Sequence, residues 1–209
     1  MTTYAEPLER RPDTAGDTRS RPDRNAILGT LTAAFETDPP VRWLYPDRAD
    51  YLAHFPGFAT AFAGPAISDN TLVSAEGGVA LWIAPGAGPD EAALMAAIER
   101  SIPAPRHAEV FAVFEAMGNL HPHAPHWYLP MIGVHPDRQG NGLGGALLRP
   151  VLARCDAEGI PAYLEATTGR NRALYARHGF QQTATIEVAG CPPLYAMWRQ
   201  PARLAATPV

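Results

Sequence analysis

Cysteine is scarce. Cys155 and Cys191 are the two the chain contains; they stand far apart, and neither has a second Cys or a His at metal-ligand spacing. Two reduced thiols and no metal are therefore expected. Long apolar runs are missing too. None approaches the roughly 18 residues that a bilayer-spanning helix needs. The polar start MTTYAEPLERRPDTAGDTRSRPDR lacks the apolar centre of a secretory signal, so the expectation is a cytoplasmic protein with no membrane partner. Nor is one sign of charge in large excess. With 17 Lys and Arg against 21 Asp and Glu, the net charge of -4 gives no broad attraction to nucleic acid, and a small-molecule substrate fits better than a polyanion. Internal repeats and low-complexity tracts are also absent.

What is present reads as one globular domain. A chain of 209 residues, 46% hydrophobic, is long enough to bury a core of its own. Residues 1–22 read as a loose arm with a short strand near Tyr4 to Leu8, residues 23–200 as the domain, and 201–209 as a tail. From Asn25 the apolar residues Ile27, Leu28, Leu31, Ala34 and Phe35 repeat at helical spacing until DPPVRWLYPD breaks the pattern. A second amphipathic stretch, Tyr51 to Phe62, precedes two short strands, Thr71 to Ser74 and Val79 to Ile83, joined at Glu76-Gly77-Gly78. Asp90 to Arg100 and His107 to Met117 read as helices. Then come a strand (Trp127 to Val134), a helix (Leu143 to Ala157), a strand (Ala162 to Glu165) and a short helix (Asn171 to His178), which together make an α/β unit. Phe180 to Val188 and Leu194 to Trp198 close the chain as strands. Pro150 is a misfit inside its helix, where it should kink the axis or move the boundary.

The chemistry concentrates in VHPDRQGNGLGGALL. A strand runs through a polar loop into a Gly-rich helix start, where about four unpaired backbone N–H groups and the positive end of the dipole favour an anion. The bland alternative is a flexible turn with a close-packed helix start. A P-loop is excluded, because Ala146 and Leu147 stand where Lys and Ser or Thr are needed. Gly140, Gly142 and Gly145 do spell a dinucleotide fingerprint, with Glu165 where a ribose acid would sit. However, His135 to Gln139 separate it from its strand, and too little chain follows for a doubly wound sheet.

Gln139-x-x-Gly142-x-Gly144 after MIGV resembles the acetyl-CoA pyrophosphate loop of the GNAT superfamily, and NRALYARHGF from Asn171 resembles the next GNAT segment, with Tyr175 and the Gly179-Phe180 exit. VHPDRQGNGLG, GIPAYLEAT and NRALYARHGF, with LTAAF, YPDR and LWIAP earlier, are similar in the same order to puromycin N-acetyltransferase-like members. The resemblance is strong from Trp127 to Trp198 and scattered before it. It implies a single GNAT-like α/β (α+β) domain with a central mixed twisted sheet of about six to seven strands flanked by helices. It also implies an N-acetyltransferase that takes acetyl-CoA as cosubstrate, a small-molecule amine as acceptor and no metal, with a homodimer an allowed assembly.

On that reading the cradle is Gln139, Gly140, Asn141, Gly142, Leu143, Gly144 and Gly145, while Ile132, Gly133 and Val134 would pair their backbone with the pantetheine arm, Gly133 providing a bulge. The resemblance gives Asn171 a hydrogen bond to pantetheine and Tyr175 the role of general acid. Alternatively, Tyr175 is a core aromatic and Asn171 a helix N-cap. Glu165, at a strand end beside the cleft, is a candidate base, or it bonds backbone or an Arg. His121, His123 and His126 read as solvated histidines. Trp43, Tyr45, Phe55, Trp82 and Glu115 are candidates for the acceptor pocket. A non-catalytic acetyl-CoA sensor or scaffold would use the same cradle, and a dinucleotide-binding protein is the further alternative.

Overall fold

The computed structural model describes residues 23–69 and 71–202. The arm, with its strand near residues 4–8, and nearly all of the tail lie outside the described residues. Acidic caps start four of the helices. Asp23 caps α1 (Arg24–Phe35), Asp38 caps α2 (Pro39–Leu44), Asp47 caps α3 (Arg48–Ser68) and Asp90 caps α4 (Glu91–Ser101), each through its carboxylate to a backbone N–H of the first turn. After α5 (His107–Leu120) come β3 (Trp127–Val134), α6 (Leu143–Glu158), β4 (Ala162–Ala166), α7 (Gly169–Arg177), β5 (Gln181–Ile186) and β6 (Leu194–Arg199), with β1 (Leu72–Ala75) and β2 (Gly78–Ile83) lying between α3 and α4.

Two departures from the sequence reading are local. DPPVRWLYPD does not simply break the first helix but contains α2. Pro39 and Pro40 fill the first helical positions, where no N–H is needed, and Asp38 accepts from Val41 N at 3.3 Å. The second departure is α3, which extends beyond both predicted ends and runs through Pro56 and Pro65. Helix α6 likewise continues past Pro150 to an αL cap at Gly159.

The sheet has six strands in the order β1-β2-β3-β4-β6-β5, antiparallel except where β3 meets β4. Alternation along each strand supplies two cores. Val79, Leu81, Ile83, Tyr128 and Tyr163 pack with α1 to α5 on one face, while Ala80, Trp82, Trp127, Leu129 and Leu164 pack with Leu147, Leu148 and Leu152 of α6 on the other. Covered on both faces, β2 is buried along its whole length, which explains its unbroken apolar run. Such a mixed sheet, with one parallel pair, is not the doubly wound sheet of a dinucleotide fold.

Strand β3 holds the fold's main irregularity. It is paired to β2 along its length, with the register shifting opposite Leu81 to Ile83, so that Leu129 and Pro130 together face Trp82. The bulge predicted at Gly133 therefore sits at Pro130, whose ring cannot donate to a ladder. Gly133 has another role. A Cβ there would stand 2.9 Å from Ala34 Cβ and 3.1 Å from Leu31 Cδ2, so its bare backbone lets α1 lie directly on β3. Gly133→Ala should consequently destabilise the fold by about 1–3 kcal/mol through overpacking. Urea unfolding of the variant checks this, and an unchanged midpoint would mean that α1 is not seated there.

Candidate active site

Strands β3 and β4 pair at only two positions among the described residues, Trp127 with Ala162 and Tyr128 with Tyr163. Beyond these the strands part. A groove of about 370 Å³ opens against the far end of β3, lined by Ile132, Gly133 and Val134, by Gln139, Gly140, Gly142, Leu143, Gly144 and Gly145, and by Asn171 and Tyr175 of α7. Of the predicted cofactor residues only Asn141 is not brought into it; that residue lines a neighbouring surface hollow with Arg149.

The loop conformation explains the glycines. Gly140 and Gly142 take φ values of 84° and 75°, which suit glycine, and Gly142 is the N-cap of α6. No atom lies within 4 Å of a Cβ built on either one, so the space over them is open to a ligand. The first-turn N–H groups of α6 point into that space with the helix dipole behind them. Gln139 braces the loop: its amide donates to Val134 O at 3.1 Å and its carbonyl accepts from Arg170 at 3.1 Å. Arg138, Arg170 and Arg177 also line the groove and add cationic groups that the glycine motif did not reveal. An anionic pyrophosphate therefore fits this cradle.

Asn171 is not the cap of α7. Thr168 is, accepting from Asn171 N at 3.1 Å, while the Asn171 side chain donates to Thr167 Oγ1 at 3.4 Å. Tyr175 faces the groove from the same helix with its ring buried against Phe180. Burial, with the nearby Asp38 carboxyl, pushes its hydroxyl well above the usual tyrosine range, so the group keeps its proton.

A second, smaller cavity of about 90 Å³ adjoins the groove, the two sharing Phe35 and Asp38. Glu165 lines this second cavity rather than the groove, because alternation along β4 puts it on the Tyr163 face, toward α1 to α5. Its Oε1 is buried without a hydrogen-bond partner, as is the Tyr163 hydroxyl. Burial is the chief cause that raises the Glu165 carboxyl, to about 7. It does not bond an Arg.

Asp38 is the site residue that sequence reasoning missed. It is buried at the meeting of the two cavities, accepts from Val41 N and from Thr167 Oγ1, and has its pKa raised chiefly by burial. The Asp-Pro-Pro cap was the available signal. Of the five pocket candidates Trp43 alone lines the second cavity. Tyr45, Phe55 and Trp82 are core, and Glu115 is exposed. Among the histidines, His123 is exposed, whereas His121 and His126 are half-buried, 3.1 Å apart, and packed over Tyr163. Burial and the neighbouring imidazoles lower His121 to about 4. No group of three or more His, Cys, Asp or Glu is placed to hold a metal among the described residues. Among them, too, no helix is long and apolar enough to cross a membrane, and both cysteines are free thiols.

Comparison with known proteins agrees with this fold. Residues 91–180 match the model of the acetyltransferase (GNAT) family. A crystal structure of a histone acetyltransferase HPA2 and related acetyltransferase from Corynebacterium glutamicum superposes with a TM-score of 0.60 at 27% identity, over 90% of this chain and 96% of that one. This chain has the GNAT acetyltransferase fold. The arylalkylamine N-acetyltransferase 2 of Aedes aegypti shares that fold, with a TM-score of 0.57 at 12% identity, over 85% of this chain and 94% of the other. An uncharacterized N-acetyltransferase of Schizosaccharomyces pombe is 40% identical over 60 residues, and the match spans 29% of this chain and 24% of that protein. The family match and the structural neighbours together support the GNAT acetyltransferase family.

The buried carboxyl of this site has a consequence for stability. Glu165 carries a folded-state pKa of about 7 against an ordinary 4.5. The fold thus holds a proton that the unfolded chain releases, and stability falls as pH rises between those values. Glu165→Gln removes that dependence. At pH 8 the variant should be more stable than the parent by about 1–3 kcal/mol, with the difference fading below pH 5. Urea titrations at the two pH values measure it.

Proposed function

We propose that the protein transfers an acetyl group from acetyl-CoA to the amine of a small molecule. What carries the reading is that a single groove gathers the glycine cradle, the open edge of β3 and Tyr175, and adjoins an apolar cavity holding a carboxyl with one unpartnered oxygen. Acetyl-CoA, when bound, supplies an activated acetyl thioester. The α6 amides and Arg138, Arg170 and Arg177 would hold its pyrophosphate, and Ile132 and Gly133 would pair with the pantetheine arm. Asn171 would bond that arm while also bracing Thr167.

Glu165 accepts a proton from the incoming ammonium, since a carboxyl near neutrality suits that exchange. The freed amine nitrogen bonds to the acetyl carbon as the carbon–sulfur bond breaks. Tyr175 gives its proton to the departing thiolate and recovers one from the new amide nitrogen, so the reaction releases one proton overall, from Glu165. A raised hydroxyl pKa keeps that proton in place until sulfur charge develops, although it also makes Tyr175 a weaker acid. The likeness to puromycin N-acetyltransferase-like members, a cytoplasmic location and a homodimer remain part of this same proposal.

Saturating acetyl-CoA should raise the thermal midpoint, a ligand at 100 times its Kd contributing about 2.7 kcal/mol. No shift would remove the cosubstrate. Tyr175→Phe should lower kcat by about 10²- to 10⁴-fold with the acetyl-CoA Kd nearly unchanged. Equal losses in both would make the hydroxyl a binding group, and binding without turnover on any amine would favour a sensor. Because the base works ionised, kcat/KM should rise with pH and level off above about 7. A flat profile from pH 5 to 8 would acquit Glu165.

A further inference from the structure

The cavity beside the groove is built for one shape and one charge. Its walls include Trp43, Phe58, Phe62, Phe114, Met117 and Leu194, contributed by α2, α3, α5 and β6, and no Lys or Arg lines it. Its ionisable carboxyls are Glu165 and Asp38. Asp38 has both oxygens engaged, one by Val41 N and one by Thr167. Glu165 Oε1, by contrast, is buried and unpartnered. A carboxylate left so is costly unless a donor arrives, and a cationic donor compensates it best. Size narrows the occupant further. The cavity measures about 90 Å³, whereas an engineered apolar cavity of about 150 Å³ accepts benzene. A nucleoside or peptide body does not fit. A single ring fits only if the walls yield, and Trp43, Phe62, Phe114 and Met117 are the half-buried side chains among them.

Resting on the acetyl-transfer reading, we infer that the acceptor is a primary amine joined by a short link to one apolar ring, the ring seated among Phe58, Phe62, Phe114 and Met117 and the ammonium against Glu165. The link is short because the rings and the carboxyl line the same small cavity. The shared wall at Phe35 and Asp38 then turns the nitrogen toward the groove and Tyr175. A polyamine is disfavoured, because its second ammonium would enter the aromatic part of the cavity, where no carboxylate meets it.

The test uses the whole chain with saturating acetyl-CoA and follows thiol release with phenethylamine, ethylamine, spermidine and alanyl-alanine. Phenethylamine should exceed each of the others in kcat/KM by about tenfold or more, the scale on which an apolar pocket discriminates. Met117→Trp, which fills the cavity, should lower the phenethylamine value about tenfold while acetyl-CoA still raises the thermal midpoint. Phe62→Leu, which removes a ring wall, serves if the first variant does not fold, with a loss in the same direction. Acetyl-CoA binding together with equal rates for phenethylamine and ethylamine, or with spermidine or the peptide preferred, overturns this inference and leaves acetyl transfer standing. Absence of any acetyl-CoA shift overturns both.

Discussion

The separation of β3 from β4 governs this molecule. β4 stays with β6 along its length, from Ala162 opposite Arg199 to Ala166 opposite Tyr195, and β3 stays with β2. Among the described residues, two ladder pairs join these halves of the sheet. A β-bulge sharpens local twist and removes a stretch from regular pairing, and the one at Pro130 lies just past the last shared pair. From there β3 offers its backbone to whatever enters the gap. The α6 N-terminus lies at the far end of the same gap because α6 is the next α-helix after β3, reached through the loop of residues 135–142, and α7 follows β4. Cradle, extended edge and Tyr175 are thus consequences of one split.

A split sheet needs a bridge. Helix α1 lies on β3 through Gly133, and the turn after it carries Asp38 across to Thr167 at the end of β4. That hydrogen bond ties the α1–α2 corner to the opposite half, and Asn171 extends the tie into α7. Both ends are partly or fully buried, so breaking the bond would strand a carboxyl in a low-dielectric site. The wall between the two cavities is therefore held by the same contact that closes the fold.

Local chemistry made much of this legible. The glycine loop, the strand before it and the Asn171 to Phe180 segment carry their signals within about ten residues each, and the structure gathers them into one groove. Signals that depended on tertiary placement were lost. Pro130 reads as an ordinary strand residue until its register with Leu81 and Ile83 is known, and Gly133 reads as a bulge until α1 is seen against it. Asn141 looks inseparable from its glycines, yet the αL turn at Gly142 leaves it on another surface. Trp43 was legible as a pocket residue but indistinguishable from Tyr45 and Trp82, because aromatic character does not reveal which face a core shares with a cavity.

Two buried carboxyls of raised pKa, Asp38 and Glu165, are candidates for the base of the proposed transfer, and their hydrogen bonding separates them. Asp38 spends one oxygen on the N-terminus of α2 and the other on Thr167, so taking up a proton would weaken a contact that spans the split sheet. Glu165 has no such obligation. Its Oε1 is buried without a hydrogen-bond partner, and burial favours the protonated form that the proposed base would adopt. Asp38 instead acts on Tyr175: after burial, its charge is the second cause that raises that hydroxyl above the usual tyrosine range. In the proposed transfer the acid and the base would therefore be Tyr175 and Glu165, while the two hydrogen bonds that commit Asp38 to α2 and to Thr167 keep it structural.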